Sequence, residues 1–133
     1  MNRINQRMTL VLAGVLGLLG VAAGAFGAHG LESRLSVEQL EWWQTAARYQ
    51  QIHALALLAV GWGAGPWSRW RSGSALCFFV GVVVFAGTLY AMALGGPRVL
   101  GAVTPIGGLA LITGWTLIAV HAIRVVPSES TRG

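Results

Sequence analysis

From Met8 to Ala28 the chain reads MTLVLAGVLGLLGVAAGAFGA, a run without a single charge. A helix crossing a bilayer needs about 20 mainly apolar residues, because the hydrocarbon core offers no water to an open backbone. Residues 76–94 form a second uncharged block of this kind, and residues 103–123 a third, bounded by Arg98 and Arg124. Residues 46–65 are apolar overall but carry Arg48, Gln50, Gln51 and His53 in their first half. Four such blocks predict an all-α fold, a four-transmembrane-helix bundle forming one membrane domain over residues 1–133. The expected spans are about 8–28, 45–64, 76–94 and 103–123.

Composition agrees. The chain is 55% hydrophobic and only 10% charged, whereas about a quarter of a soluble domain is charged. All nine basic residues are arginine, against Glu32, Glu38, Glu41 and Glu129, for a net charge of +5. The arginines are scattered between apolar blocks and form no stripe. Lipid headgroups of the bilayer are therefore the expected partner and nucleic acid is not. The single Cys77 lies in an apolar run and reads as an inert buried thiol.

Helix starts are also written in the sequence. Ser36 and Gln39 make the S-x-x-Q pattern of a capping box, with Leu35 and Leu40 at the staple positions. The second helix is therefore extended, starting near residue 37 at the membrane surface. Trp42, Trp43 and Tyr49 fit an interfacial aromatic belt. Thr104 is placed to cap the last helix, with Pro105 at its first position. Gly95-Gly96-Pro97 ends the third. Four spans put Arg3, Arg7, Arg69, Arg71, Arg124 and Arg132 on one side, against Arg34 and Arg98 on the other, with Arg48 at depth. The positive-inside rule then places both termini in the cytoplasm. Arg3, Arg7 and the Ala23-Gly24-Ala25 site outline a signal peptide. The apolar run is longer than a signal-peptide core, so an uncleaved span is expected.

Small residues mark packing faces. Gly17, Gly20, Gly24 and Gly27 share one side of the first span, and Gly87, Ala91 and Gly95 recur at spacing four in the third. Gly107, Ala110 and Gly114 offer a similar small face in the fourth, at spacings of three and four. In lipid such residues let backbones approach closely. Packing within the bundle is the expected use; a homo-oligomer or a membrane-protein partner is the other. The GxxGxxG spacing of Gly24, Gly27 and Gly30 is not the dinucleotide fingerprint, which needs GxGxxG between a strand and a helix.

The polar residues of the second helix form two stripes. Glu41, Gln44, Arg48 and Gln51 make one; Thr45, Tyr49 and His53 make its neighbour. His29, at the tip of the first span, is expected to come near them, completing a candidate polar site. Two uses stay open for these residues: a site for a polar or anionic ligand, or an internal hydrogen-bonded clamp that fixes helix register. His29 and His53 lack a third ligand at helical spacing, so neither a metal nor another cofactor is expected. No catalytic constellation is evident, and the chain has neither aspartate nor lysine. An enzyme is not expected.

Two segments, GAFGAHGL at the end of the first span and WWQTAARYQQIHALALL at the head of the second, resemble the bacterial "domain of unknown function 423" or YgdD-like family, related to the eukaryotic transmembrane protein 256-like group. VTPIGGLALITGW, at residues 103–115, is similar to its last helix. The matching positions are Gly24, Phe26, Gly27, Ala28, His29 and Gly30, then Trp43, Gln44, Thr45, Ala46, Arg48, Tyr49, Gln50, His53 and Ala54. The resemblance implies a small multi-pass protein of the bacterial inner membrane and no settled activity. A structural or interaction role is expected. The alternative is a small-solute or lipid transporter or binding protein, using a polar site between helices 1 and 2.

Overall fold

The computed structural model describes residues 4–125; Arg3, Glu129 and Arg132, which entered the charge balance above, lie outside them. Four α-helices follow in order: α1 (Gln6–Phe26), α2 (Val37–Trp62), α3 (Arg69–Ala93) and α4 (Thr104–Val125). A π-helical turn, Gly27–Leu31, extends α1, and a 3-10 turn, Arg98–Ala102, precedes α4.

Three stretches are long and apolar enough to cross a membrane: Gln6–Leu31, Arg69–Ala93 and Arg98–Arg124, with mean hydropathy 2.2, 2.2 and 1.8. α2 falls short of that hydropathy because Arg48, Gln50, Gln51 and His53 dilute its apolar residues. It nevertheless runs against the length of α1. Gly27 meets Trp43 at one end and Gly61 meets Leu10 at the other.

Helix boundaries have local causes. Asn5 caps α1 by accepting from the Met8 amide. The capping box of α2 forms: Ser36 Oγ accepts from Gln39 N, and Gln39 Oε1 accepts from Ser36 N at 3.0 Å. Leu35 and Leu40 both pack on the small cluster of Leu31, Trp43 and Ala93. α3 ends in a Schellman motif. Gly95, at φ +94°, lets Gly96 N reach Ala91 O and Gly95 N reach Met92 O.

α3 begins at Arg69, capped by Ser68, two turns before the apolar block at 76–94; those turns are polar because Arg71, Ser72 and Ser74 all find buried partners. One expectation is corrected. Thr104 is the first residue of α4, and its hydroxyl turns back to Leu100 O and to Thr88 Oγ1 instead of capping.

α1 packs on α2, α2 on α3 and α3 on α4, while α1 and α4 do not meet. The bundle is thus an open row. α3 and α4 interlock through glycines: the Phe78 ring lies where a Cβ on Gly114 would sit, and Leu111 does the same at Gly81. Gly107 lies against the backbone of Phe85. Gly17, Gly20, Gly24 and Gly27 all face α2. The expected face on α3 differs. Gly87 is exposed and a Cβ there meets nothing within 4 Å, Gly95 is likewise open, and Ala91 serves the helix end by accepting from Gly96. The face that α3 turns to α4 carries Ser74, Phe78 and Gly81 instead.

These clearances set opposite outcomes for one methyl group. Gly107→Ala meets backbone that cannot yield and should lower stability by about 1–3 kcal/mol. Gly87→Ala meets nothing and should gain up to about 1 kcal/mol from helix propensity. Thermal unfolding in detergent, followed by circular dichroism, checks both.

Candidate functional site

The register of α1 on α2 places three side-chain donors of α2 opposite carbonyls of α1. Trp43 Nε1 donates to Ala23 O at 2.8 Å, Gln51 Nε2 to Gly20 O at 2.7 Å, and Gln50 Nε2 to Leu16 O at 2.9 Å. Helical carbonyls have a second lone pair to accept with. They are reachable because glycine removes the side chains that would stand in the way. A Cβ on Gly20 would lie 2.9 Å from Gln51 Cγ, and one on Gly27 2.6 Å from the Trp43 ring. At the far end the direction reverses, and Gln6 Nε2 donates to Gly61 O at 2.9 Å.

This seam continues into α3. Tyr90 OH donates to Gln50 Oε1 at 3.0 Å, and the Tyr90 ring lies edge-on to Trp43 with centroids 4.6 Å apart. Gln50 is thereby satisfied at both ends while only 5% exposed. Phe26 adds a second edge contact to Trp43 and covers Gly30. The π-helical turn therefore sits on an aromatic floor, and a side chain at Gly27 or Gly30 would collide with it.

His53 is buried on the α4 side of α2. Its Nδ1 lies 2.8 Å from Tyr49 O, and its Nε2 lies 3.3 Å from Trp115 Nε1. A carbonyl only accepts and an indole N–H only donates, so both contacts require the neutral Nδ1–H tautomer. Phe78 and Trp115 enclose the ring. This histidine has no nitrogen left over for a ligand.

Arg71 closes the opposite end of α2. Its Nε and Nη2 donate to Val60 O, Nη2 also to Gly63 O at 2.8 Å, and Nη1 to Gly65 O at 3.2 Å. Its guanidinium stacks 4.8 Å from the Trp67 ring. The orphan carbonyls that end a helix carry partial negative charge, and a planar donor fork suits them. Trp67 Nε1 and Ser72 Oγ both donate to Ile4 O, which ties down the start of α1.

The candidate polar residues are dispersed by this register. Glu41, Gln44, Arg48 and His29 are exposed, on faces away from the seam; Thr45 is half-buried. Gln51 leaves its stripe to join the seam. Tyr49 is exposed, with its ring 4.4 Å from Phe85. The expected approach of His29 to His53 does not form. Trp43 is level with Gly27, and His53 lies ten residues further along α2, about 15 Å at 1.5 Å per residue. Among the described residues no cluster of three potential metal ligands exists. The sole ion pair among them is Arg98–Glu38 at 2.7 Å, with Arg98 also over Trp42.

The sequence did not single out Gln50, Tyr90 and Arg71 as interior groups, or the exposed Trp115 as the partner of His53. A signal for Gln50 existed: it lies in phase with Ala46 and Ala54, the small residues of the buried face. Nothing in the sequence marks the acceptors of Arg71, which are backbone carbonyls at the end of α2 and just beyond it.

Two lateral grooves flank α1. One, of about 470 Å³, runs between α1 and α2 past Ala13, Gly17 and Ala54. The other, of about 420 Å³, lies between α1 and α3, with Gln50 and Tyr90 at its base and Gly87 at its side.

A family model described as "Protein of unknown function (DUF423)" matches residues 23–108, which span the π-helical turn, α2, α3 and the start of α4. The chain belongs to the DUF423 family. A UPF0382 membrane protein of Staphylococcus saprophyticus is 39% identical over 120 residues, covering 90% of this chain and 100% of its own. UPF0382 membrane protein YwdK of Bacillus subtilis is 38% identical, covering 90% and 98%. UPF0382 inner membrane protein YgdD of Escherichia coli is 36% identical, covering 92% and 94%. No solved structure matches. This DUF423 protein is thus a membrane protein, in agreement with its three strongly apolar helices.

If the seam carries the fold, Gln50→Leu should lower stability by about 1–3 kcal/mol, because it orphans the Tyr90 hydroxyl. Arg48→Ala, on the exposed face, should change it by less than about 0.5 kcal/mol. Unfolding midpoints of the two variants in one detergent provide the comparison.

Proposed function

We propose that this DUF423 protein is a non-enzymatic structural and interaction protein of the bacterial inner membrane, acting through its outer faces and not as a conduit. One observation carries the reading. Among the described residues, every buried side-chain nitrogen and oxygen has a hydrogen-bond partner within the fold. A transport path or polar binding site needs groups that can be offered to a solute. Gln50, Gln51, His53 and Arg71 are instead turned to backbone carbonyls, and Gln50 and His53 also to Tyr90 and Trp115. The inner-membrane name of the Escherichia coli relative and the arginine-rich end formed by Arg7, Arg69 and Arg124 support both termini being cytoplasmic. Glu32, Glu38, Glu41 and Arg48 then face the outer headgroups.

Cysteine accessibility tests this in whole membranes. Single cysteines replace Ala46 or Leu57, both fully buried, or Gln44 or Arg124, in a Cys77→Ser background. With a membrane-impermeant maleimide, Gln44→Cys should label only from outside and Arg124→Cys only from the cytoplasm. Ala46→Cys and Leu57→Cys should stay unlabelled from both sides. Labelling of either buried position reveals an aqueous path and favours the transporter reading; reversed labelling at Gln44 and Arg124 inverts the topology.

A further inference from the structure

The groove between α1 and α2 is filled by nothing that the described chain supplies. A Cβ on Gly14 meets no atom within 4 Å, and one on Gly17 meets only the Ala54 methyl, at 3.9 Å. Leu10 and Ala13 line it from α1, and Trp62, which is 77% exposed, stands at its rim. Leu10 also lines a second recess with Asn5, Gln6, Arg7 and Trp67, so the Leu10 end of the groove lies about one helical turn from Arg7.

Charge at that end is one-sided. Arg7, Arg69 and Arg124 are exposed there. The described carboxylates, Glu32, Glu38 and Glu41, all lie at the other end, where Arg98 takes Glu38. Arg71, the remaining described arginine of this end, is committed to the carbonyls of Val60 and Gly63. An apolar slot and an exposed arginine fork thus lie within about one helical turn of each other, and such a fork binds phosphate in two-point fashion. Trp62 at the rim suits headgroup depth.

We propose that this groove holds one acyl chain of an anionic phospholipid whose phosphate rests on Arg7. A second copy of the chain fits less well. A two-fold axis along the membrane normal would set the same ends side by side, bringing Arg7 of each copy together. The inference goes beyond the structural role proposed above and does not depend on which side of the membrane the basic end faces.

Native mass spectrometry of the full chain released from detergent tests it, with dioleoyl phosphatidylglycerol compared against dioleoyl phosphatidylcholine. One phosphatidylglycerol should be retained about tenfold more than phosphatidylcholine, whose own ammonium neutralises the phosphate charge that Arg7 would meet. Arg7→Gln should remove that preference. Gly14→Leu, at a position where a Cβ meets no atom within 4 Å, extends a side chain into the slot and should abolish retention. Arg69→Gln takes the same charge from the same end and should leave retention unchanged. Thermal midpoints show whether each variant is folded; should Gly14→Leu melt early, the contrast of Arg7→Gln with Arg69→Gln decides. Equal retention of the two lipids overturns the proposal. So does undiminished binding to Arg7→Gln, equal loss in Arg69→Gln, or a dimer mass that Gly14→Leu converts to monomer.

Discussion

Donation from α2 side chains to α1 carbonyls is the interaction on which the rest of this bundle depends. Apolar helices in lipid gain no hydrophobic energy by touching one another, so close packing and polar contacts must hold them. Here both arise from one arrangement. Glycines on α1 bare its carbonyls, and Trp43, Gln50 and Gln51 reach them. With Gln6 at the far end, these bonds contribute about 2–3 kcal/mol at the average measured for membrane helices. The greater consequence is specificity. Sliding α1 by one residue would present side chains where carbonyls now stand and leave two amides unpaired in hydrocarbon, so the helices have one register.

From that register the remaining contacts follow. Gln50, held by Leu16, turns its oxygen to Tyr90 and so fixes α3. His53, three residues further along α2, faces Trp115 on α4 although the α2 and α4 backbones do not meet. Arg71 ties the start of α3 to the end of α2, and Ile4 O receives Trp67 and Ser72, which brings the beginning of α1 to the same point. α4 is attached differently, by Phe78 and Leu111 seated on glycines and by Ser74 donating to Gly114 O. It contributes little to the polar interior, and α1 never reaches it.

Much of the fold was legible in the sequence because its signals are local. The uncharged runs give α1, α3 and α4, the Ser36–Gln39 box starts α2, and Gly95-Gly96-Pro97 stops α3. The candidate site was less legible. Its stripes depended on which side of α2 faces the bundle, and charge and polarity drew attention to Glu41, Gln44 and Arg48. Those residues are polar because their face is exposed. The interior polar groups look ordinary in sequence, and what distinguishes them is a partner on another helix. Arg71 shows the same limit, since its acceptors are main-chain atoms that no residue type announces. Gly87 shows the reverse, a residue of the right kind at the right spacing that turns outward because α3 meets α4 through a different face.

The register of α1 on α2 can be measured without disturbing the seam. A Cβ on Gly17 lies 3.9 Å from that of Ala54, close to the ~3.8 Å typical of a disulfide. In a Cys77→Ser background, Gly17→Cys with Ala54→Cys should therefore cross-link readily under mild oxidation in native membranes. Gly17→Cys with Leu58→Cys, one helical turn away, should not. Equal cross-linking of the two pairs, or cross-linking of the second alone, would contradict a seam with a single register.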